Sequence, residues 1–159
     1  MDDVSLVLGI GNSLLSDEGA GIHAVRRLQG QARTSHPRVR LLDGGTLSFP
    51  LVEAIADARD LIVIDAAQLA REPGAVGLFE GEEMDHFLAT GHKRSVHEVG
   101  LVDLMSMARL CGTLTARRAL VAIQPAEFGW GEQPSAPVAS AIISACDLVG
   151  ELLERWRDG

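Results

Sequence analysis

Short apolar runs alternate along this chain with segments of helical periodicity. The clearest run is residues 61–64, four branched apolar residues between Asp60 and Asp65. A run of this kind predicts a buried strand, because a strand that is covered on both faces is apolar throughout. The predicted strands are residues 4–8, 39–42, 61–64, 75–79 and 119–123, and the predicted helices are residues 17–28, 49–58, 82–88, 95–110 and 138–156.

This alternation predicts an α/β fold, a three-layer sandwich with a mostly parallel sheet of about five strands between helices. The length of 159 residues suits a single domain that spans residues 1–159. Ser16 is the predicted N-cap of the first helix. Cys111 and Cys146 lie in apolar helical patterns, which predicts two buried free thiols.

The charge and the hydropathy pattern exclude several classes of partner. The chain has 14 basic and 22 acidic residues, a formal net charge of −8, so we expect it to repel nucleic acid. Glycine, proline and charged residues interrupt the apolar stretches, which predicts no membrane span. The first residues are acidic and lack the basic flank of a signal peptide. We therefore expect a cytoplasmic protein.

Polar segments follow the predicted strands or begin the predicted helices. A glycine-containing loop at residues 9–19 follows the first strand, Asp43 follows the second and Asp65 follows the third, while His97 lies at the start of a predicted helix. Ligands of α/β proteins bind at the carboxyl ends of the strands. Carboxylates and an imidazole at one such edge predict a metal site or a hydrolytic site.

Each of these residues also has a purely structural interpretation. Asp17 and Glu18 fall where acids interact favourably with a helix dipole, and Asp65 is also explained as a solvated acid at the sheet edge. Ser95 and Glu98 form a capping box around His97. An imidazole at a helix N-terminus is kept neutral, which leaves a lone pair available to a metal. His23, one turn beyond Glu18, is a second candidate.

Other chemistries find less support in the residues. Gly9 and Gly11 resemble the start of a dinucleotide fingerprint, but Leu14 stands where the third glycine is required. No Gly-x-Ser-x-Gly elbow occurs, and neither cysteine lies in a catalytic motif. A hydrolase without an activated nucleophile uses a metal to polarise a carbonyl or to activate water.

Taken together, the motifs resemble those of the hydrogenase maturation endopeptidases over nearly the whole chain. The matching segments, in order, are Gly9-Ile10-Gly11-Asn12, Asp17-Glu18-Gly19 with Gly21, Asp43-Gly44-Gly45-Thr46, Ile64-Asp65-Ala66, His97-Glu98-Val99-Gly100 and Gln124-Pro125. Members of this family remove a C-terminal extension from the large-subunit precursor of a nickel–iron hydrogenase after nickel insertion.

The resemblance implies a nickel-dependent endopeptidase of aspartic or metallo type, with catalytic residues Glu18, Asp43, Asp65 and His97. It implies that Glu18, Asp65 and His97 contact nickel that is presented by the substrate, and that Asp43 positions the substrate. Two oxygens and one imidazole leave coordination positions open for the substrate's own ligands.

Two alternatives remain open at this point. A non-proteolytic nickel chaperone or sensor for hydrogenase assembly would use the same three ligands, and a nucleotide-binding enzyme would use the glycine loop. We expect a monomer that binds the hydrogenase large-subunit precursor transiently.

Overall fold

The computed structural model describes residues 3–45, 50–90, 101–127 and 129–159. Its strands are β1 (Ser5–Ile10), β2 (Val39–Gly45), β3 (Asp60–Ala66), β4 (Val76–Glu80) and β5 (Arg117–Ile123). Its α-helices are α1 (Ala20–Leu28), α2 (Pro50–Ala56), α3 (Glu82–Thr90), α4 (Leu101–Leu110) and α5 (Ala136–Asp158), and short 3₁₀ turns lie at Ser16–Gly19 and Ala32–Thr34. Residues 95–100 of the predicted fourth helix lie outside the described ranges.

The strands form one sheet in the order β2-β1-β3-β5-β4. Strands β2, β1, β3 and β5 are parallel, and β4 pairs with β5 in the antiparallel direction. The loop of residues 67–75 that leads into β4 contains no helix, and a parallel pairing needs a longer crossover connection. The predicted α/β fold with a mostly parallel sheet is confirmed.

Helices cover both faces of the sheet, because side chains alternate from one face to the other along each strand. Val7, Ile62 and Val121 face α1 and α5 in one apolar cluster. Leu8, Leu61 and other residues of the same strands face α2, α3 and α4 in a second cluster. Every residue of β1 and β3 is buried. This arrangement gives the three predicted layers.

Several strands are longer than the sequence predicts, and the extra residues matter for function. Strand β1 continues through Gly9 and Ile10, and β3 begins at Asp60 and ends at Ala66. Asp65 therefore lies within the sheet, where it pairs with Ala122 of β5. Because β-sheet hydrogen bonds fix its backbone, the strand determines where the Asp65 carboxyl group lies.

Two local predictions are wrong. Ser16 does not cap α1, because residues 16–19 form a 3₁₀ turn and the helix begins at Ala20; the Ser16 hydroxyl instead donates to the carbonyl oxygen of Gln133 (3.2 Å). Cys111 is exposed, because α4 ends at Leu110 and the thiol lies in the following turn. Cys146 is buried as predicted, and burial raises the pKa of its thiol to about 11.

Helix α5 is long enough and apolar enough to cross a membrane by composition alone, with a mean hydropathy of 1.5. The absence of a membrane span therefore stays a prediction, because length and composition alone do not exclude one in this segment. Half of the apolar window is buried inside the protein, and residues such as Ala145 and Val149 pack against α1 and the sheet. Burial of this kind is typical of a core helix.

Candidate active site

The carboxyl ends of β1, β2 and β3 meet at one edge of the sheet, which we call the acidic edge after the side chains of Glu18, Asp43 and Asp65. Gly9 of β1 pairs with Asp43 of β2 on one side and with Ile64 of β3 on the other. Asp65 follows Ile64 directly. Since neighbouring strands lie about 4.8 Å apart, the backbones of Asp43 and Asp65 are separated by about 10 Å.

The loop after β1 carries Glu18 to this edge. The Gly11 N–H donates to the carbonyl oxygen of Gly45 (3.0 Å), and the Asn12 N–H donates to that of Glu18 (3.2 Å). Gly11 has a φ of +138°, and a Cβ at this position would lie 1.9 Å from the Glu18 carbonyl oxygen. The loop therefore requires glycine here, and its hydrogen bonds hold the backbone of Glu18 beside the ends of β1 and β2.

Close packing of α1 on the sheet places this loop next to Asp65. A Cβ at Gly21 would lie 2.2 Å from the carbonyl oxygen of Ile64 and 2.4 Å from that of Ile10. A side chain at position 21 would therefore push the first turn of α1 away from the strands. Glycine at this position brings the turn that contains Glu18 against the end of β3.

The three carboxyl groups differ in their exposure to solvent. Asp65 is buried, with 7% of its surface exposed, Glu18 is half-buried and Asp43 is exposed. The Asp43 carboxylate accepts a hydrogen bond from the Gly45 N–H (3.0 Å) and forms an ion pair with Arg26 (3.6 Å). Asp43 thus shapes the turn that ends β2, and Asp65 is held within the sheet.

The predicted histidine ligand is not among the residues that the structure describes. His97 lies in the undescribed range 91–100. Within the described ranges, no group of three His, Cys, Asp or Glu side chains is arranged to hold a metal ion. Nickel contact by Glu18, Asp65 and His97 therefore stays a prediction.

The second histidine candidate, His23, packs inward from α1. Its Nε2 is buried and has no hydrogen-bond partner in the described part of the chain. Burial and the nearby charge of Arg26 lower the pKa of His23, which favours the neutral ring.

Sequence reasoning missed the role of Asp17, which is fully buried. Its carboxylate accepts hydrogen bonds from the N–H groups of Ala126 (2.8 Å), Glu127 (2.7 Å) and Ser135 (2.7 Å), and from the Ser135 hydroxyl (2.8 Å). Burial acts to raise the pKa of Asp17, but these hydrogen bonds outweigh it and leave the pKa below its usual value. Asp17 therefore fastens a distant loop to the turn of Glu18.

That loop, of which residues 126–127 and 129–135 are described, lies against the turn that carries Glu18. The Gly131 N–H donates to the Leu14 carbonyl oxygen (2.8 Å), and the Ser16 N–H donates to the Gly131 carbonyl oxygen (2.7 Å). Gln124, which follows β5 and precedes this loop, is buried and accepts a hydrogen bond from the Leu69 N–H (2.7 Å). No local sequence signal links Asp17 to Ser135, because they are 118 positions apart.

The fold and sequence match known proteins. A family model for the hydrogenase maturation proteases matches residues 22–151. The hydrogenase expression/formation protein HupD of Bradyrhizobium diazoefficiens is 37% identical over 158 residues, which cover 98% of this chain and 80% of HupD. The solved structure of the hydrogenase maturating endopeptidase HybD from Escherichia coli superposes with a TM-score of 0.86 at 30% identity, and the match covers 96% of this chain and 93% of HybD.

A further solved structure also matches. The nickel–iron hydrogenase maturation protease HybD from Thermococcus kodakarensis superposes with a TM-score of 0.77 at 29% identity and covers 94% of this chain and 98% of that protein. These similarities place the chain among the hydrolases that act on peptide bonds. It belongs to the hydrogenase maturation protease family.

Proposed function

We propose that this protein removes the C-terminal extension of a nickel–iron hydrogenase large-subunit precursor after nickel insertion, and that it recognises the inserted nickel. In this proposal the nickel belongs to the substrate. Glu18, Asp65 and His97 contact it, and Asp43 positions the peptide that is cleaved. The protein acts as a monomer in the cytoplasm.

The observation that carries the proposal is the meeting of Glu18, Asp43 and Asp65 at one sheet edge. They come from three separate segments, and the required glycines at positions 11 and 21 bring those segments together. Carboxylates at the carboxyl ends of parallel strands occupy the usual ligand position of this fold class. Membership of a protease family supplies the reaction class.

The different exposures of the carboxyl groups fit different roles. Glu18 and Asp65 lie deeper and are suited to holding a metal in one fixed place, which leaves open positions for ligands from the precursor. Asp43 is exposed and is therefore accessible to a bound peptide backbone. Hydrolysis adds the hydroxyl of water to the scissile carbonyl carbon and gives a proton to the departing amine. The nickel contact holds that bond at the acidic edge.

The test is cleavage of the precursor from the same organism, in nickel-loaded and nickel-free forms, followed by the mass of its C-terminus. We expect a defined tail to be lost from the loaded form alone. The His97→Ala variant should abolish processing without unfolding the protein. A matched control is Glu151→Gln, which removes an exposed carboxylate of α5, and it should process at the wild-type rate.

Failure to cleave a folded, nickel-loaded precursor would contradict the proposal. Tight binding of free nickel by the isolated protein, without cleavage, would instead support a nickel chaperone or sensor. Equal cleavage of both precursor forms would keep the protease activity and reject the recognition of nickel. Wild-type processing by His97→Ala would reject the assigned ligand set.

A further inference from the structure

An exposed tryptophan stands next to the acidic edge on a loop that is firmly held. Trp130 is 85% exposed, and Leu14 beside it is 50% exposed. The two residues directly precede Gly131 and Leu15, which pair as a parallel bridge, so their backbones lie about 4.8 Å apart. Large apolar side chains that are exposed together mark binding surfaces more often than isolated ones do.

The described parts of this loop, residues 126–127 and 129–135, are held by hydrogen bonds on both sides of Trp130. Asp17 binds the N–H groups of Ala126 and Glu127 before it and of Ser135 after it. Gly131 is joined to Leu14 and Ser16 in the middle of the loop. A loop whose ends are tied together by one buried carboxylate presents its apex with little conformational freedom to lose. Preorganisation of this kind lowers the cost of binding.

We infer that Trp130 and Leu14 form a docking surface for a segment of the hydrogenase precursor that carries a lysine or an arginine. This inference rests on the proposed function and names residues that select its substrate. Ser16, which is bonded to the Trp130 loop, lies two positions before Glu18 in the same 3₁₀ turn. A peptide that reaches the acidic edge along this side therefore passes the docking surface.

The charge around Trp130 favours a basic segment. Glu127 and Glu132, both exposed, lie within three positions of Trp130 on the loop, and the whole chain carries a net charge of −8. A cation over the face of a tryptophan is attracted by the ring, and nearby carboxylates add to that attraction. A precursor segment with a basic side chain satisfies both the ring and the acids.

A second copy of this chain is a poor occupant. A stable protein interface buries about 1,200–2,000 Å², whereas one aromatic side chain supplies about 150–250 Å². Two side chains on two adjoining loops therefore suit a short peptide that is also held elsewhere, at the acidic edge. A copy of this chain would also bring its own negative charge.

The first test is steady-state processing of the nickel-loaded precursor by Trp130→Ala. We expect KM to rise about tenfold with kcat little changed, because a central interface tryptophan contributes to binding. Trp130→Phe should recover most of the affinity. The matched control is Leu110→Ala, since Leu110 is 88% exposed but lies at the end of α4, near the amino ends of the strands. A wild-type KM for Trp130→Ala would overturn the inference.

The second test addresses the basic segment. The double variant Glu127→Gln and Glu132→Gln should raise KM several-fold and weaken the dependence of KM on salt concentration. An unchanged KM with unchanged salt dependence would show that the segment is not recognised by charge.

A binding measurement separates this inference from the proposed function. The chain has two tryptophans, Trp130 and the buried Trp156, so fluorotryptophan labelling gives two fluorine resonances that Trp130→Phe assigns. Precursor should shift the Trp130 resonance even if cleavage is absent. If a precursor that is cleaved shifts neither resonance, the docking surface is wrong and the proposed function still holds. A concentration-dependent Trp130 shift without precursor would identify self-association and also overturn it.

Discussion

Strand β3 carries an aspartate near each of its two ends, and different residues lie near them. Asp60, at the amino end, is fully buried and accepts hydrogen bonds from Arg117 (2.7 Å), Arg59 (3.0 Å) and Ser5 (2.8 Å). Asp65, at the carboxyl end, is almost as deeply buried. Its surroundings are the acidic edge, with further carboxylates on the loop after β1 and on β2.

Two buried aspartates of one strand thus have different neighbours, because they lie at opposite ends of the sheet. At the amino end, guanidinium groups neutralise Asp60, and the cation–π contact of Arg117 with Trp156 (5.9 Å) ties the cluster to α5. The carboxyl end instead carries acids on three neighbouring segments, and negative charge at this edge favours a cationic ligand. The contacts at the amino end stabilise the fold, and in the proposed function the carboxyl end binds the substrate.

The largest effect is expected for Asp65→Asn, which keeps the shape of the side chain and removes its charge. We expect processing of nickel-loaded precursor to fall by at least about a hundredfold, because loss of a metal contact costs more than loss of its supporting groups. The free energy of unfolding should change by no more than about 1 kcal/mol. Initial rates and urea unfolding measure the two effects. Processing at the wild-type rate by this variant would show that the Asp65 carboxylate is not required for activity.

The matching change at the other end is Asp60→Asn. It leaves the partly buried Arg117 without its charge partner, and breaking a buried pair costs about 3 kcal/mol. We expect urea unfolding to show that loss, while the processing rate per folded molecule stays at the wild-type value. Glu154→Gln is the control, because Glu154 pairs with Arg33 on the surface and exposed pairs contribute about 0–1 kcal/mol. A lower processing rate per folded molecule in Asp60→Asn would show that the amino end of the strand also contributes to activity.

A smaller effect is expected at Asp17, the structural carboxylate of the acidic end. An asparagine at position 17 retains one acceptor oxygen, but its NH2 group would face N–H donors that now bond to the carboxylate. We therefore expect the free energy of unfolding to fall by about 1–3 kcal/mol at pH 7. KM for the precursor should also rise, since the loop that carries Trp130 is no longer held. The KM for the precursor and urea unfolding measure the two effects. A wild-type KM together with wild-type stability would contradict this prediction.

The pH dependence gives Asp17 a second signature. Its pKa is lower in the folded protein than the usual value of 3.8. The unfolded chain therefore binds the proton more readily, and the stabilisation by Asp17 is complete well above pH 3.8 and lost as the pH falls through the lowered folded pKa. Unfolding curves at neutral and acidic pH should converge for wild type and Asp17→Asn as the pH decreases. A constant difference between them would show that charge is not the cause.

The fold was predictable because each layer leaves a local signal. Strand β3 reads as an apolar run, and the inner residues of α5, such as Val149 and Leu152, recur at helical spacing. The errors occur where tertiary contacts override local pattern. Ser16 has the composition of a cap but bonds to a residue 117 positions away, and Cys111 continues an apolar pattern beyond the end of its helix.

The acidic edge was predictable in part. The positions of Glu18, Asp43 and Asp65 follow from strand ends, which the sequence marks with glycine and aspartate. The Trp130 loop was not predictable, because its conformation depends on hydrogen bonds to Asp17 from the far end of the chain. Its glycine and proline residues predict irregular structure but do not indicate where the loop packs.

The smallest expected effect concerns the arginines that pair with an aspartate at each end of the sheet. Arg26 pairs with Asp43 at the acidic end across 3.6 Å, and both side chains are substantially exposed. Arg26→Ala should lower the free energy of unfolding by at most about 0.5 kcal/mol, because water and salt screen exposed pairs. Arg117→Ala, at the opposite end, should cost several times more, since it leaves Asp60 buried with fewer partners. Urea unfolding of the two variants compares them directly. If Arg26→Ala were as destabilising as Arg117→Ala, arginine pairing would stabilise both ends of the sheet alike, and the acidic edge would need a structural explanation as well.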